Sequence, residues 1–260
     1  MAKLITIYPK SNAVLVGNGH FPLPLQRIGP NTWRNIRSPN YGVSPIDGSQ
    51  LVMPTFSEVA ELAGFALADC YKHGTDGKSN FVFNPAIDVV NKYVLAGNSI
   101  WVISLDRVYF IDTPSEELVA QFGVNDQNTL DRLVAGFEEG LEGRKERKGI
   151  IYGNNIASVS IANVSQGAQS RNPRDDNYFG KNIGLIAATS KKVAESLAIG
   201  SKACSREPYF GLSADATKII TRVPGLGSGG FDRGLDVDGW RVVDVMCSFG
   251  YSKSGEATRG

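Results

Sequence analysis

Two histidines, His20 and His73, are all that 260 residues offer to nucleophilic catalysis of the Ser-His or Cys-His kind. That chemistry needs a nucleophile, a base within reach and a third group to orient the base, and neither histidine has a recognisable setting of this sort. His-Glu-x-x-His, Gly-x-Ser-x-Gly and Ser-x-x-Lys do not occur, and Gly250-Tyr251-Ser252-Lys253-Ser254 only approaches the second. Cys70 and His73 are three residues apart and could share a metal ion. A zinc site needs three or four ligands and no second pair lies nearby, so a buried thiol and a histidine at a helix end explain them better. Paired carboxylates remain, because acid and base groups can come from anywhere in a fold. The candidates are Asp88, Asp106, Asp112, Asp175 and Asp176; Asp112 stands at a strand end just before a helix.

Three near-motifs fail on their context. Gly74-Thr75-Asp76-Gly77-Lys78-Ser79 ends like a phosphate loop, but Lys72 stands where the pattern needs glycine, and a helix precedes it instead of a strand. Gly225, Gly227 and Gly230 have the spacing of a dinucleotide loop, yet no helix follows them. Asp232, Asp236 and Asp238 suggest a calcium loop whose first and last ligand positions hold Gly234 and Val245. No cofactor and no metal ion are therefore expected.

Binding chemistry is more visible. Arg27, Trp33, Arg34, Arg37 and Tyr41 cluster in one stretch. Guanidinium groups beside aromatic planes suit single-stranded nucleic acid, whose phosphates need cations and whose bases need a stacking surface. The same residue types anchor protein interfaces. Arg144, Lys145, Arg147 and Lys148 form a second, basic cluster that could hold phosphate, although glutamates followed by cations also describe an ordinary helix end.

The elements that must position these residues read as follows. Ile100 to Ile103 and Val108 to Ile111 form a hairpin that is apolar on both sides, hence an interior one. Thr113 and Glu116 make a capping pair for a helix ending at Gly123. Thr55 to His73 is a second helix, with Thr55 and Glu58 as its capping pair, and Asn125 or Asp126 caps a third. Leu4 to Tyr8 and Ala13 to Val16 open the chain as a hairpin, and Asp238-Gly239 is a two-residue turn joining strands at Leu235 to Val237 and Trp240 to Cys247. Between Gly17 and Pro54 the chain is rich in proline, glycine and asparagine without any period. That is a long irregular arm, of a length usually reserved for function or for lying against a neighbour.

Composition sets the outer limits. Apolar residues make up 42% and charged residues 20%, as in an ordinary globule, and a formal net charge of +1 argues against bulk duplex DNA or an anionic membrane as partner. Three widely spaced cysteines are the opposite of a disulfide framework, so cytoplasmic maturation is expected. The N-terminus, interrupted by Pro9 and Lys10, is a poor signal peptide, and no apolar run approaches the ~20 residues of a membrane span. The expectation is an α+β protein of mostly antiparallel sheets with three to four helices and long Gly/Pro/Asn-rich loops. It divides near residue 148 into an N-terminal α+β half, 1–148, carrying the arm 17–54, and a β-rich half, 149–260, with one continuous domain as the alternative. In function it is expected to be a non-catalytic assembly subunit, such as a phage-particle component, that contacts copies of itself or other subunits. A single-stranded nucleic-acid binder and an enzyme using buried carboxylates are the alternatives.

Overall fold

The central hairpin forms as its apolar pattern requires. Strand β7, Ile100–Ile103, pairs antiparallel with β8, Arg107–Ile111, in the register Ile100↔Ile111 and Ile103↔Val108. Side chains alternate across a strand. Trp101, Ile103, Val108 and Phe110 accordingly enter one core, and Ile100, Val102, Tyr109 and Ile111 enter another on the opposite face. Each large apolar side chain buried in this way contributes about 1.5–3 kcal/mol.

The computed structural model describes residues 7–8, 13–37, 40–73, 95–121, 126–164, 167–168, 193, 195–198, 209–212, 218–228 and 235–253; for 7–8, 65–73, 95–96, 167–168, 228 and 235–236 only the backbone is described. The chain begins with strands β1 (Ile7–Tyr8), β2 (Ala13–Val16), β3 (Gly19–Pro22) and β4 (Arg27–Thr32), followed by helix α1 (Trp33–Arg37), strand β5 (Leu51–Val52) and helix α2 (Phe56–His73). Strand β6 (Leu95–Ala96) leads into the hairpin. Helices α3 (Glu116–Gln121) and α4 (Gln127–Leu141) come next, then strands β9 (Lys145–Arg147), β10 (Ile150–Tyr152) and β11 (Ile156–Ser160). The last strands are β12 (Gly167–Ala168), β13 (Tyr209–Gly211), β14 (Ile220–Ser228), β15 (Leu235–Trp240), β16 (Val245–Phe249) and β17 (Tyr251–Ser252).

A twelve-stranded sheet runs β12-β13-β15-β14-β7-β8-β11-β10-β9, with β6, β16 and β4 joined beside β14. A five-stranded sheet runs β1-β2-β3-β17-β5. Pairing is antiparallel except between β13 and β15 and between β6 and β16, which makes the protein α+β with mostly antiparallel sheets. Helix α2 covers one face through Phe56, Val59, Leu62 and Ala63. Helices α1, α3 and α4 cover the other through Ile36, Leu118, Leu130 and Leu141. Among the described residues, no helix is long and apolar enough to cross a membrane.

The helix starts follow capping chemistry. Thr55 N–H donates to Glu58 at 2.6 Å while Glu58 N–H donates to Thr55 Oγ1, the reciprocal pair that satisfies the open amides of α2. Asp126 accepts from Thr129 N–H at 3.2 Å and starts α4. Helix α3 differs from expectation: its cap is Ser115, whose Oγ accepts from Leu118 N–H, and not Thr113.

Other sequence-based expectations are corrected. The arm from Gly17 to Pro54 is no free ribbon. It contributes β3 and β5 to the smaller sheet and pairs β4 with β16, and Phe21, Trp33, Ile36, Tyr41 and Leu51 are buried in the protein's own core. The boundary expected near residue 148 falls on the turn of the β9–β10 hairpin, where Lys148 and Gly149 have φ of 55° and 77°. Positive φ at both central residues suits a two-residue turn, so Lys145, Arg147 and Lys148 belong to a hairpin while Arg144 stays at the helix end, and the large sheet runs across the boundary. Asp238-Gly239 does not turn. Both lie within β15, opposite Gly225 and Pro224, and the stretch expected to be a flexible glycine loop is strand β14 as far as Ser228. Gly239 serves close packing instead: a Cβ there would lie 2.4 Å from Leu212 Cδ1. The turn falls at Arg241–Asp244, closed by Asp244 N–H donating to Arg241 O.

If the arm is core, its tryptophan must act as a core residue. Trp33→Ala should lower unfolding free energy in urea by about 3–5 kcal/mol. The exposed neighbour change Arg34→Ala should stay within about 0.5 kcal/mol.

Candidate functional site

The five residues of the arginine-aromatic stretch separate into an inner and an outer set. Trp33 and Tyr41 are 2% and 3% exposed, and Tyr41 OH donates to Ile36 O at 2.8 Å. Burial pushes the Tyr41 phenol well above its ordinary value. Arg37 lies 5.8 Å from the Trp33 ring centre, donates from Nε to Asn98 Oδ1 and pairs with Glu116 at 2.7 Å, holding that carboxyl below its usual range. It thus links α1 to the start of α3. Arg27 is exposed, and its Nε and Nη2 reach Cys247 Sγ at 3.2 and 3.1 Å. Arg34 is exposed on α1. Single-stranded nucleic acid needs exposed aromatic planes beside its cations. Here the planes face inward and only the cations face out.

The basic cluster is also divided. Lys145, Glu146 and Arg147 are exposed on β9, the last strand of the large sheet, where charged residues discourage pairing with another strand. Arg144 Nε donates to Gly140 O. It stands at the rim of a groove of about 460 Å³ that Glu138, Glu139, Glu142 and Glu146 surround and whose apolar lining is Leu141 and Ile151. The groove is net acidic, the reverse of a phosphate site. Glu138 also accepts from Tyr109 OH and lies 3.5 Å from Arg107 Nε.

Among the described residues, the groups that could perform acid-base or nucleophilic work are engaged by neighbours of their own chain. Asp112, at 6% exposure just past β8, accepts from Ser57 N–H, Ser57 Oγ and Ser99 Oγ. It therefore caps α2, a helix nearly sixty residues earlier in the chain. Burial pushes its carboxyl up, and these donors, with the N–H of Phe56, pull it back only in part. Burial also raises Glu58, against the Thr55 bonds and with help from the Asp112 charge. Asp106 closes the β7–β8 turn by accepting from Ser104 Oγ. His20 is fully buried, with Nε2 2.8 Å from Ser44 Oγ and 4.0 Å from Asp47 Oδ1. Serine and carboxylate approach the same ring nitrogen, whereas a triad places them on opposite nitrogens, and Ser44 is 1% exposed. Among the described residues, no group of three His, Cys, Asp or Glu side chains could hold a metal ion. The side chains of Cys70 and His73, Asp88, Asp175, Asp176, Cys204, the segment 74–79 and the glycines and aspartate between 229 and 234 lie outside the described residues.

One surface feature was missed by sequence reasoning. Val243 and Val245 are 63% and 61% exposed, on and just after the Arg241–Asp244 turn. Arg241 donates from N and Nε to Asp244, which fixes the turn, and its side chain remains 67% exposed. Burial first and the charge of Arg241 second push the Arg222 guanidinium below its ordinary value, against the pull of Asp244. The signal was the run Val242-Val243-Asp244-Val245, which has the apolar content of a buried strand and no indication of which valines face water.

No family model matches the sequence, and no curated protein matches it. A solved structure from work on the accommodation of massive sequence variation in Nanoarchaeota by the C-type lectin fold is similar at 9% identity and a TM-score of 0.47, covering 87% of this chain and 97% of that one.

The buried carboxyl gives a pH test. The folded state holds the Asp112 proton more tightly than the unfolded chain does, so this stabilisation is complete below the ordinary value of 3.8 and is lost as pH rises through the raised one. Asp112→Asn cannot titrate. The stability of the native protein relative to Asp112→Asn, measured in urea, should be greater at pH 4 than at pH 7. Equal differences at both pH values would contradict a raised carboxyl.

Proposed function

We propose that this protein is a non-catalytic subunit of a larger assembly, such as a phage-like particle or another multi-subunit complex, matured in the cytoplasm, and that it works by contacting other protein chains. The arm that suggests this role in the sequence packs on its own sheet, so the contact passes to the surface outside it. The observation that carries the reading is the pair Val243 and Val245, more than 60% exposed on a turn fixed by the Arg241–Asp244 bonds. Isolated exposed apolar residues are common. Two at one fixed turn, beside the exposed Arg241, combine an apolar centre with an arginine, the composition of an interface anchor. Supporting the non-catalytic part, Asp112, Asp106 and Asp47 are each taken up in internal hydrogen bonds. The buried free thiol of Cys247 agrees with cytoplasmic maturation.

A photoreactive benzoylphenylalanine at position 243 of the full chain, made in its natural cells and irradiated, should give discrete protein adducts. The same residue at position 132, on the exposed side of α4, should not. Absence of adducts from both 243 and 245 would remove the support for this reading.

A further inference from the structure

The Arg241–Val245 turn and the groove at the end of α4 are opposite in form and in charge. The turn exposes Val243 and, just after it, Val245 beside the exposed Arg241, with Asp244 as its one acid. The groove has four glutamates against Arg144, with Ile151 half-buried and Leu141, only 3% exposed, at its floor. Arg241 has donors to spare: a guanidinium carries five N–H groups, and Asp244 engages those on Nε and Nη2.

The two features cannot meet within one molecule. Strand β14, which carries Arg222, lies four strands from β10 and five from β9 in the sheet order, about 20–25 Å at the usual inter-strand spacing. From this we infer that the groove formed by Glu139, Glu142, Glu146, Leu141 and Ile151 is the receptor for the Arg241–Val245 turn of a second copy of this chain. The inference rests on the assembly reading above and names the partner of the same turn. Because donor and receptor are different surfaces, the contact is head-to-tail, and copies add until a ring closes or a filament grows. The edge of β4 is a poorer place for a second copy. Pro30 lacks an N–H, Gly29 has φ of 99° and the pairing with β16 is irregular at Met246, all features that discourage strand addition.

Sedimentation velocity on the full chain tests this. The native protein should form species beyond a dimer as concentration rises, and added salt should weaken them. Val243→Asp, which spoils the turn, and Glu139→Arg with Glu142→Arg, which spoils the groove, should each be monomeric with unchanged circular dichroism. Mixed together they should give a complex of two chains, since one variant keeps a groove and the other keeps a turn. Val245→Asp and Glu146→Lys serve in their place should either variant fail to fold. A native protein that stays monomeric at all concentrations, or a mixture that does so, overturns self-docking. If the photoreactive residue at 243 still labels a different protein, the assembly reading survives without it; a monomer with no adduct removes both.

Discussion

A single carboxylate fixes how the two halves of the core meet. Asp112 ends the central hairpin and accepts from Ser57, in the first turn of α2, and from Ser99, just before β7. Ser99 Oγ in turn accepts from Phe56 N–H at 2.8 Å. Of the open amides of α2, those of Phe56 and Ser57 are therefore satisfied by residues at the end of the central hairpin, beside the Thr55–Glu58 pair, and the helix starts where the hairpin ends. Gly97 tightens the same junction, because a Cβ there would lie 2.4 Å from Phe56 N. Once α2 is anchored, Phe56 packs edge-on against Phe110, and Trp101 lies between Phe110 and Phe210. Packing on the far face, by α1, α3 and α4, needs only that the hairpin be held flat against α2.

That junction explains which parts of the fold were legible in the sequence. The hairpin, the Thr55–Glu58 pair and the Asp126 cap depend on neighbours within a few residues, and a local pattern records local chemistry. The arm depends on partners far away: β4 pairs with β16, more than two hundred residues later, and β3 pairs with β17. Proline and glycine mark such a segment as irregular, yet cannot show that a distant strand lies waiting for it. Gly239 misled for a related reason. Asp238-Gly239 reads as a two-residue turn because Asp-Gly accepts positive φ, and the same glycine is needed where Leu212 presses on the backbone. Only the fold separates the two uses.

The candidate surface was legible in its charges and not in its apolar part. Arg27 and Arg34 do face outward, as their type suggests, but Trp33 and Tyr41 turned in because an aromatic residue beside an arginine is equally good at closing a core. The valines after the β15 strand went the other way. Val242 packs on the inner cluster while Val243 and Val245 are left outside it. Alternation alone would permit either assignment. What decides it is the register of β16 against β4, again a distant pairing.

The position of those valines bears on how firmly they could be held by another chain. A flexible loop loses conformational freedom when it docks, which subtracts from the binding free energy. Here the freedom is already gone: the turn is closed by its own backbone bond, Arg241 is tied to Asp244, and β16 continues directly into Met246 and Phe249, which are 2% and 1% exposed. The exposed pair is thus an outward extension of the core rather than an appendage to it. An apolar surface kept rigid in water gains nothing for the isolated fold, whereas covering it with a second surface would remove that area from water.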